Sequence, residues 1–388
     1  MHHRRLIIAA ISIATVIKVC LAVFTFGTND VVTWQSFITN IHRVGGAAAY
    51  EVSGAHGDPF NHPPFMIHLL LLLDKISRTT QVAFPTLFRA LGILADVGTV
   101  LLVYRMNIAG VFRSSHSAII ALAFCPVSIL ISGFHGNSDP VMIFLILASA
   151  YLLLVKQSFW AGGLAFGMAI NIKLLPLLLV SVFFFYGLSW RRRVIFFTFA
   201  ALIILIGSMP YLAQNPIAVI RGTLLYKGFP AAWGLSNFLH ALGLHNELPR
   251  TFLRVLIFVA AMILPYLMNR RGLSLNSQIG VVLLLFLFLT PSFGVQYLAW
   301  PVPFILSLEL GWVVAYYISA GTLLFTLYHY WSAANWYFAE SHVRPSWNSS
   351  SVIIANVCWL LIGLLLVLYH KQSQRASDRE HHSFPLVP

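Results

Sequence analysis

Only eleven carboxylates are spread over 388 residues, so each place where polar side chains gather is a candidate for chemistry. Asp30, in TNDVVTW, stands where a first apolar run ends and an amphipathic stretch begins. FHGNSDP at 134–140 brings His135, Asn137 and Asp139 together in a turn-forming cluster. Lys173 lies in the apolar AINIKLLP, where an ammonium must snorkel to water or meet an anion. RGTLLYKGFPAAWG adds Arg221 and Lys227, and SFGVQYLAWPVPF adds Gln296, Tyr297 and Trp300. A carboxylate beside an attacking hydroxyl can take its proton as the bond forms, while cations stabilise a departing phosphate. One carboxylate facing several cations therefore suits transfer of a sugar from a lipid-linked phosphate to a hydroxyl. Asp30 is a candidate for that carboxylate. Lys173 and Arg221, with His135 or Lys227, hold the phosphate, and Asn137, Asp139, Gln296, Tyr297 and Trp300 are candidates for sugar contacts. A retaining double displacement needs a second carboxylate about 5 Å from the first. No paired acids occur at these sites, so inversion is expected.

Each of these residues also has a simpler use. Asn29 or Asp30 would serve as N-cap of the helix that follows. Asn-Ser-Asp-Pro is ordinary turn chemistry, and Tyr297 and Trp300 fit an interfacial aromatic belt. Asp96, within an apolar run, reads first as a polar contact between helices. Lys18, midway along the first run, reads as a packed or snorkelling side chain.

The elements that must position these groups are membrane helices. Charged residues make up 9% of the chain against about 25% in soluble proteins, and 59% are hydrophobic, with mean hydropathy +0.82. Such a chain cannot cover a water-facing exterior. The apolar runs predict an all-α integral membrane protein, one domain over 1–370, with about twelve spans. The first is LIIAAISIATVIKVCLAVFTF, read as retained rather than cleaved. The others lie near 84–104, 117–134, 141–156, 159–172, 175–189, 194–212, 251–268, 277–291, 297–310, 311–328 and 351–369. The pair 159–172 and 175–189 is short for spanning, which predicts a break around Lys173 and Pro176 lining a cavity.

The net charge of +13 fits topology better than nucleic acid, because the basic residues are scattered between apolar runs. Arg4, Arg5, Arg105, Lys156, Arg191 to Arg193, Arg270, Arg271 and Lys371 all fall on one side if the N-terminus is cytoplasmic. Both termini are then cytoplasmic, and the polar clusters share the outer or lumenal face. A long first external loop, 27–83, is predicted to carry two membrane-parallel helices. In the first, Trp34, Phe37, Ile38, Ile41 and Val44 recur at helical spacing, so that face can lie on the bilayer. A second external loop spans 213–250. The tail, 371–388, is expected to be disordered. Cys20, Cys125 and Cys358 lie in apolar runs and form neither a disulfide framework nor a metal pair.

At these residues the chain resembles the GT-C membrane glycosyltransferases. The similarity is greatest to the dolichyl-phosphate-glucose-dependent glucosyltransferases and the polyprenyl-phosphate-mannose-dependent enzymes. NDVVTW resembles the family's Asp-bearing first-loop motif. LFRALGILADV is similar to its Arg-x(6)-Asp span, through Arg89 and Asp96. GFHGNSD, AINIKLL and FGVQYLAWPVP resemble three later blocks in the same order, and the likeness runs over roughly 20–310. It implies a GT-C-like fold, Asp30 as catalytic base, a polyprenyl- or dolichyl-phosphate-sugar donor and inversion on the outer or lumenal face. The acceptor would be a glycan, glycolipid or protein hydroxyl. Gln296 stands where the glucosyltransferases tend to have His, and no Asp-x-Asp surrounds Asp30. That departs from the metal-dependent oligosaccharyltransferase branch, so neither metal nor cofactor is expected beyond the lipid donor.

The rival reading is a secondary transporter or lipid flippase. Transporters usually show internal repeats and midplane ionisable residues, whereas here the polar clusters gather at one face. A catalytically silent accessory subunit is a third reading.

Overall fold

The computed structural model describes residues 2–54, 57, 59–112, 114–226, 228, 231–243, 247–341 and 347–382. Lys227 lies outside them. In chain order the helices are α1 (His2–Phe24), α2 (Asn29–Val44), α3 (Phe65–Thr80), α4 (Phe84–Ile108), α5 (His116–Ala123) and α6 (Pro126–Leu130). They continue with α7 (Asp139–Leu154), α8 (Phe159–Ile172), α9 (Val180–Phe185), α10 (Trp190–Gln214), α11 (Pro216–Thr223) and α12 (Gly234–Ala241). The last four are α13 (Glu247–Arg270), α14 (Leu275–Leu289), α15 (Leu310–Trp331) and α16 (Ser349–His382).

Among the described residues, seven helical stretches are long and apolar enough to cross a membrane: α1, α4, the segment 116–135, α10, α13, α15 and α16. Four shorter apolar helices accompany them, at Asp139–Leu154, Phe159–Ile172, Leu175–Phe185 and Leu275–Leu289. This is an all-helical, multi-pass membrane protein.

The expected span at 297–310 is not a helix of crossing length. Two 3₁₀ turns, Val295–Ala299 and Ile305–Ser307, flank a turn containing Pro301 and Pro303. Each proline removes a helical donor and crowds the preceding turn. The tail also differs from expectation, because α16 continues to His382. No glycine or proline interrupts the sequence there to stop it.

The first loop holds two helices, as its pattern predicts, but the apolar face of α2 is turned onto the protein. Trp34, Phe37, Ile38 and Ile41 are buried, Phe37 packing on Phe60 and Trp34 on Phe88 and His62. Only Val44 of that stripe is exposed. The amphipathic period identified the buried face correctly; the partner is the rest of the loop and α4. Asp74 on α3 ties to His42 on α2 at 3.0 Å. A two-residue parallel bridge pairs Gly27–Thr28 with Phe338–Ala339 and fixes the start of α2 against the end of α15.

Two breaks in the bundle deliver side chains to one end of it. Pro126 lacks an N–H and restrains Cys125, so α5 stops and α6 restarts. One π-helical turn, Ile131–His135, then carries His135 to the end of the segment. After α8, Lys173 is extended, with φ −156° and ψ 144°, before a 3₁₀ turn at Leu175–Leu179 leads into α9. This is the break predicted around Lys173 and Pro176.

Within the bundle, Lys18 of α1 is 2% exposed and pairs with Asp96 of α4. The Ser128 hydroxyl donates to Asp96 at 2.5 Å and accepts from Lys18 at 3.3 Å. Both charges are satisfied between helices, as the plain reading of Asp96 expects.

Candidate active site

The first turns of α2, the segments that follow the π-turn and α8, the 3₁₀ turn after α14 and the end of α15 contribute to the wall of a cavity of about 800 Å³. Asp30, His135, Asn137, Lys173, Gln296, Tyr297 and Trp300 line it. Seven of the ten side chains singled out in the sequence therefore meet in one place.

Asp30 is freed for the cavity by its neighbour. Thr28, and neither Asn29 nor Asp30, is the N-cap of α2, its hydroxyl accepting from the Asp30 N–H at 3.3 Å. The same hydroxyl donates to the His135 carbonyl at 2.8 Å, so one threonine ties the start of α2 to the π-turn. Close approach here depends on Gly27. Its φ is +106°, and a Cβ would stand 2.8 Å from the Phe134 carbonyl oxygen.

The Asp30 carboxylate accepts from Asn137 Nδ2 and lies 3.1 Å from His135 Nε2; both contacts fall on Oδ2. An ionised carboxylate only accepts, so His135 Nε2 carries a proton. His135 Nδ1 is 2.8 Å from the Tyr328 hydroxyl on α15. In the neutral ring the tyrosine donates and fixes the tautomer that donates to Asp30. Burial pushes the Asp30 pKa up, but His135, through charge and hydrogen bond, outweighs it together with Asn137 and Lys173. The result is a fall from 3.8 to about 2.

Arg89 of α4 supports the same corner. It is 1% exposed and donates to Ala22 O at 2.9 Å, Thr25 O at 2.6 Å and Thr25 Oγ1 at 2.7 Å. The guanidinium thereby gathers the carbonyls that α1 leaves unpaired at its end, and it fixes the strand that leads into Asp30.

Lys173 meets its anion inside the protein. Its ammonium donates to Asp139 Oδ1 at 2.9 Å and Oδ2 at 3.0 Å, and the Trp300 indole N–H also donates to Asp139. Asp139, expected as a sugar contact, is fully buried and is not in the cavity lining, and the structure places it as the ion-pair partner of Lys173. Its place in the first turn of α7 accounts for this, since it points back across the break after α8. The ammonium also lies 5.0 Å from the Tyr297 ring centre and 5.4 Å from that of Trp300. Two of its three N–H bonds go to Asp139, leaving one for the cavity.

Arg221 is placed apart from the others. It sits on an exposed face of α11 and does not line the cavity, although Thr223, Leu224 and Tyr226 just beyond it do. Among the described residues Lys173 is the only lysine or arginine in the lining.

Several residues at or behind the cavity were not legible as site residues. Tyr328 sits in an aromatic, apolar helix with nothing local to mark it. Asn61 and His62 lie in a segment that reads as turns, and Trp34 as part of an apolar stripe. Neither the models of known protein families nor the curated proteins give a match to this chain.

Proposed function

We propose that this protein transfers a hexose, glucose or mannose, from a polyprenyl-phosphate-linked donor to a hydroxyl acceptor with inversion, using Asp30 as base. The observation that carries the reading is the Asp30 carboxylate at the wall of a large cavity, held by His135 and Asn137 on its Oδ2. An attacking hydroxyl becomes strongly acidic as its bond to the anomeric carbon forms. A carboxylate near pKa 2 is then basic enough, and it stays ionised at every working pH.

Lys173 supplies the charge opposite the departing phosphate, through the N–H that Asp139 does not use. Tyr297, Trp300 and Gln296 stand beside it as aromatic and amide surfaces for a sugar ring. Leu174, Leu177, Leu178, Phe258 and Phe286 add an apolar wall suited to the first isoprene units. The Asp30 proton acceptor and the Lys173 phosphate ligand thus flank one space, as direct displacement requires.

The proposed orientation follows from charge. Arg4, Arg5, Arg191 to Arg193, Arg270 and Arg271 lie at the ends of α1, α10 and α13 remote from the cavity by chain order. The positive-inside rule makes that end cytoplasmic, and the cavity outer or lumenal.

The test is transfer of radiolabelled glucose or mannose from synthetic polyprenyl-phosphate donors by the purified protein, with and without EDTA. Saturable, EDTA-resistant transfer supports the reading. No transfer from any donor, with donor or lipid flux in proteoliposomes, would replace it with a transporter.

A further inference from the structure

Among the described residues eleven buried side-chain polar atoms have no hydrogen-bond partner, and three of them are Trp34 Nε1, Asn61 Oδ1 and His62 Nδ1. All three residues line the cavity that holds Asp30. Trp34 follows Asp30 by one turn of α2, so the two share a face. The Trp34 and His62 rings lie 4.4 Å apart, and the Tyr50 hydroxyl pins the His62 carbonyl at 2.7 Å. The cluster is rigidly set.

The other eight unpaired atoms lie on residues outside the cavity lining. The indole N–H groups of Trp233 and Trp359 donate to backbone carbonyls at 2.8 and 2.9 Å, and that of Trp300 donates to Asp139. Trp34, only 2% exposed, is left without a partner. Each unpaired buried group carries a desolvation penalty that no bond offsets. Three on one wall mark a place where a ligand supplies the missing bonds.

The chemistry of that ligand follows from the donor set. Trp34 offers a donor, Asn61 Oδ1 an acceptor, and His62 Nδ1 either according to tautomer. No lysine or arginine stands among them, and the nearby Asp30 carboxylate repels anions. Burial, with the Lys173 charge added, lowers the His62 pKa to about 3 against the opposing pull of Asp30, so this imidazole is neutral. Hydroxyl groups both donate and accept, and vicinal hydroxyls on a ring match three fixed partners better than a lone alcohol does.

We propose that Trp34, Asn61 and His62 form the acceptor subsite, and that it takes an uncharged, polyhydroxylated sugar ring rather than a phosphorylated or acidic one. The name acceptor rests on the transfer reading; the binding site itself does not. Within the one cavity, Lys173, Tyr297 and Trp300 then serve the donor and the neutral trio serves the acceptor.

Saturation-transfer NMR on the detergent-solubilised full chain tests this, with methyl α-D-mannopyranoside, methyl α-D-glucopyranoside and mannose 6-phosphate as probes. Wild type and Asp30→Asn should bind a methyl hexoside saturably. Asn61→Leu and His62→Phe, shown folded by an unchanged melting temperature, should bind it at least tenfold more weakly. Mannose 6-phosphate should not compete. In transfer assays Asn61→Leu should raise the acceptor KM and leave the donor KM unchanged. Hexoside binding that is absent from wild type, unaffected by both substitutions, or weaker than that of the phosphate overturns the proposal. Hexoside binding that depends on Asn61 and His62, in a protein that transfers no sugar, would instead count against the transfer reading alone.

Discussion

The Tyr328 hydroxyl lies 2.8 Å from His135 Nδ1, and the other nitrogen of that ring lies 3.1 Å from Asp30. A tyrosine on α15 therefore sets the tautomer of a histidine in the π-turn, and the histidine orients a carboxylate at the start of α2. Tyr328 and His135 are positioning residues in this account. Tyr328→Phe removes the donor and lets the ring present a lone pair to Asp30. Loss of about 1–1.5 kcal/mol, or roughly tenfold in kcat, is expected, with the donor KM unchanged, in steady-state transfer assays.

The depressed pKa of Asp30 gives a signed pH prediction. At about 2 against 3.8 unfolded, the carboxylate adds stability that is present above pH 3.8 and lost as pH falls through about 2. Wild-type kcat/KM should show no acid limb from Asp30 across the working range. With His135→Ala and Asn137→Ala combined, burial is less opposed and the limb should move to higher pH. A pH–rate profile of the two proteins reads this directly.

Lys173 and Asp139 form a buried pair, so breaking it from either side is costly. Lys173→Met or Asp139→Leu alone should destabilise by about 3–5 kcal/mol, by leaving one buried charge unmatched. The double variant should recover part of that loss in thermal unfolding. It should not recover transfer, since the cavity then lacks its described ammonium.

Gly27→Ala tests the junction between the first span and the site. The positive φ and the Phe134 carbonyl at 2.8 Å from the added Cβ should together cost about 2 kcal/mol or more. Because the strain falls three residues before Asp30, kcat should fall even at temperatures where the variant is folded, as activity and melting measured together would show.

The sequence exposed those features that conflict with their surroundings. Asp30, Lys173 and the His135 to Asp139 cluster stand out because charge in an apolar chain needs a reason, and the broken helix at Lys173 follows from short runs flanking Pro176. Partners were hidden. Whether Lys173 meets a ligand or Asp139 depends on how α7 and α8 pack, which local spacing does not encode. The buried stripe of α2 has the same period whether it faces lipid or protein. Tyr328 is separated from His135 by 193 positions, and its hydroxyl carries no mark of its neighbour. The segment at 297–310 reads as a span by hydropathy, and that reading passed over the break that Pro301 and Pro303 impose.

The most direct test is single-turnover transfer from a polyprenyl-phosphate hexose by wild type and by Asp30→Asn, with the anomeric configuration of the product read by NMR. The account predicts an inverted product and a rate at least about a hundredfold lower in Asp30→Asn, with donor binding intact. A retained configuration, or equal rates in the two proteins, would contradict it.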